Sequence, residues 1–307
     1  MTRGDPFSVL PRIERALRSY VDRLDVGDRL RDAIAYSLLS GGKRLRPVLA
    51  WHACAAAGGE PEDALPSCIA LELVHCFSLV HDDLPAMDDD DLRRGIPTLH
   101  KHAGEAMAIL AGDAMMTLAF EPLTTDVVSP KLATQSALCV RLVRDLVGAT
   151  TAMISGQVYD TIPGTVPGSS ALDRVRTIHK HKTGALIRAS CTMGGACAQL
   201  GGSAGNSEAD VAALGRFGDA IGLMFQIVDD LIDLEQPSEL VGKRTGKDEE
   251  AGKLTYPLAY GGGADGAKKC RDEVAKLKAS ALGELRRFGE KADALRELVE
   301  FLATRTK

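Results

Sequence analysis

Apolar side chains return every three or four positions along most of this chain. Leu10, Ile13, Leu17 and Tyr20–Val21 open the pattern, and Leu30, Ile34 and Leu38 continue it. That spacing is the period of a helix with one buried face. Segments 64–84, 104–121, 131–159, 171–200, 208–234, 267–287 and 291–304 repeat it. Runs of alternating β-branched and aromatic residues are absent, so no strand is predicted. The helices are punctuated at 41–43 (GGK), 57–63 (AGGEPED), 161–170 (TIPGTVPGSS), 201–207 (GGSAGNS) and 261–266 (GGGADG). None of these is long or polar enough to be an interdomain linker, and no fixed-period repeat is visible. The expectation is one all-α domain over residues 1–307, a bundle of roughly ten or more helices.

Charge and aromatic content narrow the partners. The formal charge is −5, from 37 Lys+Arg against 42 Asp+Glu, and aromatics are 4% with one Trp. A polyanion binder needs net positive charge, and a single-strand platform needs stacking rings, so nucleic acid is excluded as a partner. Asp5 and Pro6 stand where a secretory leader needs an apolar run, and no stretch of about 18 uninterrupted apolar residues occurs. A cytoplasmic protein with no membrane span is expected. Seven cysteines with no C-x-x-C pair, mostly in apolar surroundings, predict reduced, buried thiols rather than disulfides or a zinc site.

Two aspartate clusters break the apolar texture. VHDDLPAMDDDDLRRG (80–95) holds Asp82, Asp83 and Asp88–Asp91, and FQIVDDLIDL (225–234) holds Asp229, Asp230 and Asp233. Asp229 and Asp233 are four residues apart and share a helix face, where like charges repel. Their neighbours Phe225, Ile227, Val228, Leu231 and Ile232 are apolar. Carboxylates on an otherwise buried helix need a partner or a metal. In the first cluster Pro85 disturbs the helix, which lets Asp88 return toward Asp82. All-oxygen donors suit Mg²⁺, which takes one or two carboxylates plus substrate phosphates. Taken singly, Asp89, Asp90 and Asp91 are expected to be solvated surface, and Arg93 in place of glycine rules against an EF-hand.

Cations lie beside these acids. Gly41-Gly42-Lys43-Arg44-Leu45-Arg46-Pro47 packs three of them into a Gly/Pro-bounded turn. There the backbone can approach an anion while Lys43 and Arg46 reach it. Arg93–Arg94 follow the first acidic cluster, and Lys182-Thr183-Gly184, Lys243 and Lys253 add candidates. His75, seven residues before Asp82, lies two turns back along the same face. Metal-binding acids and several cationic turns together imply a substrate bearing phosphates, a diphosphate above all. No P-loop, dinucleotide fingerprint or Ser-His-Asp constellation is present.

GGKRLRP (41–47), LELVHCFSLVHDDLPAMDDDDLRRG (71–95), HKTGALI (181–187), GLMFQIVDDLIDL (222–234) and GKDEEAGKLTYP (246–257) resemble the trans-isoprenyl diphosphate synthases, or polyprenyl synthetases, of the bacterial farnesyl/geranylgeranyl group. The resemblance implies the isoprenoid synthase fold, all-helical around a deep central cavity, and a homodimer. It implies Mg²⁺-dependent head-to-tail (1′-4) condensation of isopentenyl diphosphate onto an allylic diphosphate, dimethylallyl or geranyl. By match, Asp82 and Asp88 of the D-D-x-x-x-x-D motif (Asp82, Asp83, Asp88) hold two substrate-bridged Mg²⁺, and Asp229, with Asp233 nearby, holds a third. Gly42, Lys43, Arg46, His75 and Arg94 fall on the isopentenyl diphosphate site. Arg93, Lys182 and Lys243 fall on the allylic diphosphate clamp, with Lys253 a further cation. Thr183 and Gln226 fall where oxygens face the developing allylic cation. Leu99 departs from the small or polar residue usual there, with no catalytic consequence.

That chemistry agrees with the residues. A departing diphosphate needs its charge stabilised, and the cation left behind needs an apolar cavity closed against water. Segment 235–253 is the expected lid. The released diphosphate is the expected base for the final proton. Product length depends in this family on the residues five and four before the first Asp, here Phe77 and Ser78. A bulky Phe77 predicts early termination and farnesyl diphosphate (C15), with geranylgeranyl (C20) and geranyl (C10) as alternatives. Core packing alone would also explain Phe77. A terpene cyclase lacks use for the Lys43/Arg46/His75 site, and a non-catalytic partner subunit would have lost one aspartate motif.

Overall fold

The computed structural model describes residues 4–201, 207–235 and 254–305. Lys243, Lys253 and the expected lid beyond Glu235 lie outside the described residues. The chain divides into two compact units, Gly4–Leu146 with Met193–Asn206, and Val147–Thr192 with Ser207–Lys307. Helices dominate both, as the periodicity requires.

In the first unit α1 (Leu10–Asp22), α2 (Asp28–Leu38), α3 (Leu45–Ala56) and α4 (Leu65–Asp82) precede α5 (Leu99–Ala103) and α6 (Glu105–Leu118). Short α7 (Glu121–Thr124) and α8 (Pro130–Ala133) follow, then the start of the long α9 (Ser136–Thr161), which belongs to the second unit from Val147 on. Pro66 through Val74 are buried without interruption, so α4 is apolar all round and takes the centre. Helices α1, α2, α3, α6 and α7 pack on it. Glu72 is the one acid in that run, and it is 1% exposed.

The second unit repeats the plan. Here α10 (Ala171–His179), α11 (Ala185–Cys197, assigned to the first unit from Met193 on) and α12 (Glu208–Glu235) are followed by α13 (Tyr256–Ala259), α14 (Gly263–Glu284) and α15 (Asp293–Thr304). Helix α12 packs against α10, α13, α14 and α15. Phe217, Ile221, Met224, Ile227 and Val228 bury it, and its polarity changes at Asp229.

Three details differ from the sequence expectation. A two-stranded antiparallel hairpin, Leu92–Arg93 with Ile96–Pro97, interrupts the helices. Its tip is Arg94 and Gly95, both at positive φ (54° and 79°), as tight two-residue hairpin turns require. Between α10 and α11, residues Lys180–Gly184 form a π turn. Finally, by length and mean apolarity three helices could cross a membrane: Pro61–Asp82, Glu105–Thr124 and Glu208–Leu234. The criterion of an uninterrupted apolar run passed over them because single acids such as Glu72 and Asp113 break each run. Their most apolar windows are 72%, 39% and 67% buried inside the protein, so the first and third spend most of that surface on the core. All seven cysteines are free and six are buried. Burial pushes the Cys76, Cys197 and Cys270 thiols up to about 12, so they stay protonated and inert.

Candidate active site

In each unit the central helix ends in carboxylates. Asp82 is the last residue of α4, and Asp229, Asp230 and Asp233 fall in the last two turns of α12. A helix C-terminus carries partial negative charge, so acids there raise the local demand for cations.

The turn after α4 folds back as Pro85 requires. The Asp88 N–H donates to the Asp82 carbonyl at 2.8 Å, and Met87 N–H donates to Leu84 at 2.8 Å. The first and third aspartates of the motif therefore stand on adjoining backbone. Asp83 takes a different role: it is 3% exposed and accepts Arg93 Nε at 2.8 Å on each oxygen, with a further bond from the Arg93 terminal nitrogen. Burial by itself pulls the Arg93 guanidinium down, but Asp83 outweighs it and holds Arg93 above its ordinary value. Asp83 thus fixes a cation beside the acids.

Of the three cations at 43–46, one is consumed internally. Arg44, in the left-handed region at φ 47°, caps the start of α3. Its guanidinium donates to Glu14 at 2.6 Å, Glu72 at 2.8 Å and the Leu38 carbonyl at 2.6 Å. The Arg44 anchor leaves Lys43 exposed and Arg46 half-buried on the same loop. Arg46 Nε is buried with no partner, and burial with nearby Arg94 lowers its pKa. Arg94, at the hairpin tip, donates to the Gly41 carbonyl and to Ser40 Oγ at 3.3 Å. Gly42 sits at φ +123°, and a Cβ there would lie 2.7 Å from Arg94 Cζ. Only glycine leaves room for that guanidinium. His75 is held well below its ordinary pKa, first by burial and then by Arg46, Arg94, Arg93 and Arg44. It is a neutral imidazole facing four guanidiniums. The structure thus gathers Gly42, Arg46, His75, Arg93 and Arg94, with Lys43 alongside. This is positive charge awaiting an anion.

On α4, Phe77 is 6% exposed and meets the His81 ring edge-on at 5.8 Å. His81 Nε2 in turn lies 3.1 Å from the Ile109 carbonyl of α6. Ser78 Oγ donates back to the His75 carbonyl at 2.9 Å, which leaves a small, half-buried side chain one turn before Asp82.

In the second unit the π turn carries Lys182 and Thr183. A Cβ on Gly156 would lie 2.1 Å from Lys182 N, so α9 approaches this turn backbone to backbone. Lys182 Nζ donates to Asp160 at 2.6 Å. Thr183 Oγ1 donates to Gln226 Oε1 at 3.2 Å, and Gln226 Nε2 donates to Asp229 Oδ2 at 3.2 Å. The other Asp229 oxygen accepts from Arg305 at 2.6 Å, whose guanidinium lies 3.8 Å over the Phe225 ring. Asp233 is exposed. Asp230 serves packing: it accepts the Tyr256 N–H at 2.8 Å, and His179 Nε2 lies 3.8 Å away. Asp160, Arg305 and Arg44's partners carried no motif, because each pairs with a residue distant in sequence.

Whether these residues suit Mg²⁺ is a matter of donor chemistry. Asp82, Asp88, Asp229 and Asp233 offer only oxygen, at helix ends already short of positive charge, which fits a hard divalent cation.

Comparison with known proteins shows the family. Residues 28–290 match the polyprenyl synthetase family. A curated relative, geranylgeranyl pyrophosphate synthase 11, chloroplastic, of Arabidopsis thaliana, is 42% identical over 280 residues, 90% of this chain and 74% of the relative. Among solved structures, a geranyltransferase from Legionella pneumophila superposes with TM-score 0.79 at 36% identity, covering 97% of this chain and 95% of that one. A geranylgeranyl pyrophosphate synthetase from Pyrococcus horikoshii gives TM-score 0.83 at 27% identity, covering 98% and 97%. The fold and the family match define an all-α prenyltransferase. The chain belongs to the polyprenyl synthetase family and is a trans-prenyl diphosphate synthase.

Proposed function

We propose that this enzyme condenses isopentenyl diphosphate head-to-tail (1′-4) onto allylic diphosphates, dimethylallyl and geranyl, with Mg²⁺. The observation that carries this reading is on α4. The neutral His75, among its arginines, and Asp82 are seven residues apart on one helix face, about 10 Å along the axis. An anion site and a metal-binding edge so spaced fit two diphosphate substrates side by side. Lys43, Arg46 and Arg94 hold isopentenyl diphosphate, and His75 contributes a neutral hydrogen-bonding group. Arg93, steadied by Asp83, and Lys182, steadied by Asp160, neutralise the allylic diphosphate, with Lys243 and Lys253 as further cations of that clamp. Thr183 and Gln226 place oxygen dipoles toward the allylic carbon as positive charge develops there. Asp82, Asp88, Asp229 and Asp233 would hold three Mg²⁺ ions, which when bound would supply charge neutralisation to the departing diphosphate. With no dedicated side-chain base in view, the released diphosphate takes the final proton.

For product length the relatives weigh against the farnesyl expectation. Several chains 42% identical to this one are named geranylgeranyl pyrophosphate synthases, which supports C20 as the end product. The buried Phe77 ring one turn and a residue before Asp82 supports C15 as a second reading. A homodimer is supported by α9, where Val140, Val147, Ile154 and Val158 are exposed and fall within about 40° of one line on the helix. Purified protein given isopentenyl diphosphate, an allylic diphosphate and Mg²⁺ tests the activity, with products separated by chain length. Elongation to C20 is the expected result. Arrest at C15 would favour the Phe77 reading, and no elongation at all would refute the proposal.

A further inference from the structure

The acidic run after α4 contains carboxylates that the proposed reaction does not use. One oxygen from each of Asp89 and Asp91, both exposed, and one ring nitrogen of His100 lie within 4.8 Å of one another. His100 is 6% exposed, and its Nε2 is buried with no hydrogen-bond partner.

The hydrogen bonds around the ring decide what that nitrogen offers. Thr98 Oγ1 donates its single proton to the Asp90 carbonyl at 2.8 Å. The contact between Thr98 Oγ1 and His100 Nδ1 at 3.1 Å must then run the other way, with Nδ1–H donating to the hydroxyl. In that tautomer Nε2 carries a bare lone pair. A histidine whose second nitrogen is fixed by a neighbouring oxygen while the first awaits a ligand is the usual arrangement behind a metal-bound imidazole. Two carboxylates beside the same ring complete a mixed nitrogen–oxygen donor set, which suits Zn²⁺ or Mn²⁺ better than the all-oxygen edge suits them.

We propose that Asp89, Asp91 and His100 form a divalent transition-metal site, separate from the Mg²⁺-binding aspartates, that clips together the two ends of the Leu92–Pro97 hairpin. Asp91 precedes the first strand and His100 follows the second, joined at the Thr98 N–H to Asp91 carbonyl bond of 3.0 Å. An ion there ties both chain ends beneath the strand that carries Arg93 and the tip that carries Arg94. Lys101 Nζ holds Asp91 at 2.9 Å and competes with the ion for that carboxylate.

The test uses Zn²⁺ alone, added to chelator-stripped full-length protein without diphosphate. Binding is followed by calorimetry, and the ligands are read by X-ray absorption. One Zn²⁺ with an imidazole ligand is expected. Its affinity should fall at least about tenfold in Asp89→Asn/Asp91→Asn, whose exposed side chains spare the fold, since loss of even an outer-shell partner of a metal ligand costs about 10- to 100-fold. It should fall likewise in His100→Gln, persist in Asp82→Asn/Asp88→Asn, and rise in Lys101→Ala. No imidazole-ligated Zn²⁺ in the wild type, or one that survives Asp89→Asn/Asp91→Asn, would overturn the proposal. So would loss of that ion in Asp82→Asn/Asp88→Asn.

Discussion

Gly42→Ala should damage the proposed isopentenyl diphosphate site selectively. The new Cβ falls 2.7 Å from Arg94 Cζ and 2.8 Å from each terminal nitrogen. Carbon atoms settle at about 3.5–4.0 Å, so the guanidinium must retreat by roughly 1 Å. A charge-assisted hydrogen bond contributes about 1.5–3 kcal/mol, equivalent to about 10- to 150-fold in affinity. Because Arg94 is displaced rather than deleted, the lower end applies: KM for isopentenyl diphosphate should rise about tenfold while KM for the allylic substrate moves little. The φ of +123° adds backbone strain of about 1–3 kcal/mol, which appears as a lower Tm. Gly41→Ala is the matched control. It pays strain at φ +82°, but nothing lies within 4 Å of its Cβ. Its Tm should fall while its KM stays within about twofold, since no guanidinium is moved. Initial rates at saturating allylic substrate decide the matter. Equal KM values in the two variants would refute the reasoning.

Asp82→Ala and Asp229→Ala should each lower turnover by about two orders of magnitude or more with the helical circular dichroism retained, and near-normal rates would contradict the metal assignment. Phe77→Ala should lengthen the product and cost about 3–5 kcal/mol of stability by opening a cavity, read from the product profile and urea midpoint, and an unchanged profile would discharge Phe77 as the floor. Glu72→Gln leaves the buried Arg44 with only the half-exposed Glu14 carboxylate, so a loss of about 3 kcal/mol is expected in denaturant unfolding. His52 and His75 are both held below their ordinary pKa, chiefly by burial, so the unfolded chain takes up protons that the folded one refuses. Their contribution is intact above about pH 6.5 and is lost as pH falls below it, at up to about 1.4 kcal/mol per pH unit for each ring. The gap between urea midpoints at pH 7.5 and 5.5 should narrow in His52→Asn, with the His75 part remaining, and an undiminished gap would disprove that assignment.

Long, strongly periodic elements were legible in the sequence. The segment 208–234 is the helix Glu208–Glu235, and 64–84 is Leu65–Asp82. The return of Asp88 to Asp82 followed from Pro85. What escaped has physical reasons. Strands of two residues are too short to show alternation, and the Arg94-Gly95 tip puts an arginine where a φ-tolerant residue is the usual signal. A π turn differs from an α turn only in which carbonyl each N–H meets, so KHKTG carries no compositional mark. Arg44 shows the opposite difficulty: its charge was plain, but its partners Glu14 and Glu72 are 30 and 28 residues away. Asp89 and Asp91 are as exposed as a solvated run should be, yet His100, eleven and nine residues on, was not foreseen beside them.

The wide turn at Lys180–Gly184 makes the chain unforgiving of a changed residue count there. Removing one residue would let the wide turn close into an ordinary α turn and would displace the side chains it now presents. Lys182 and Thr183 could not then both keep their places, so the bonds to Asp160 and Gln226 would be at stake together. Substitutions at this place can drift, whereas a single-codon deletion severs two partnerships at once.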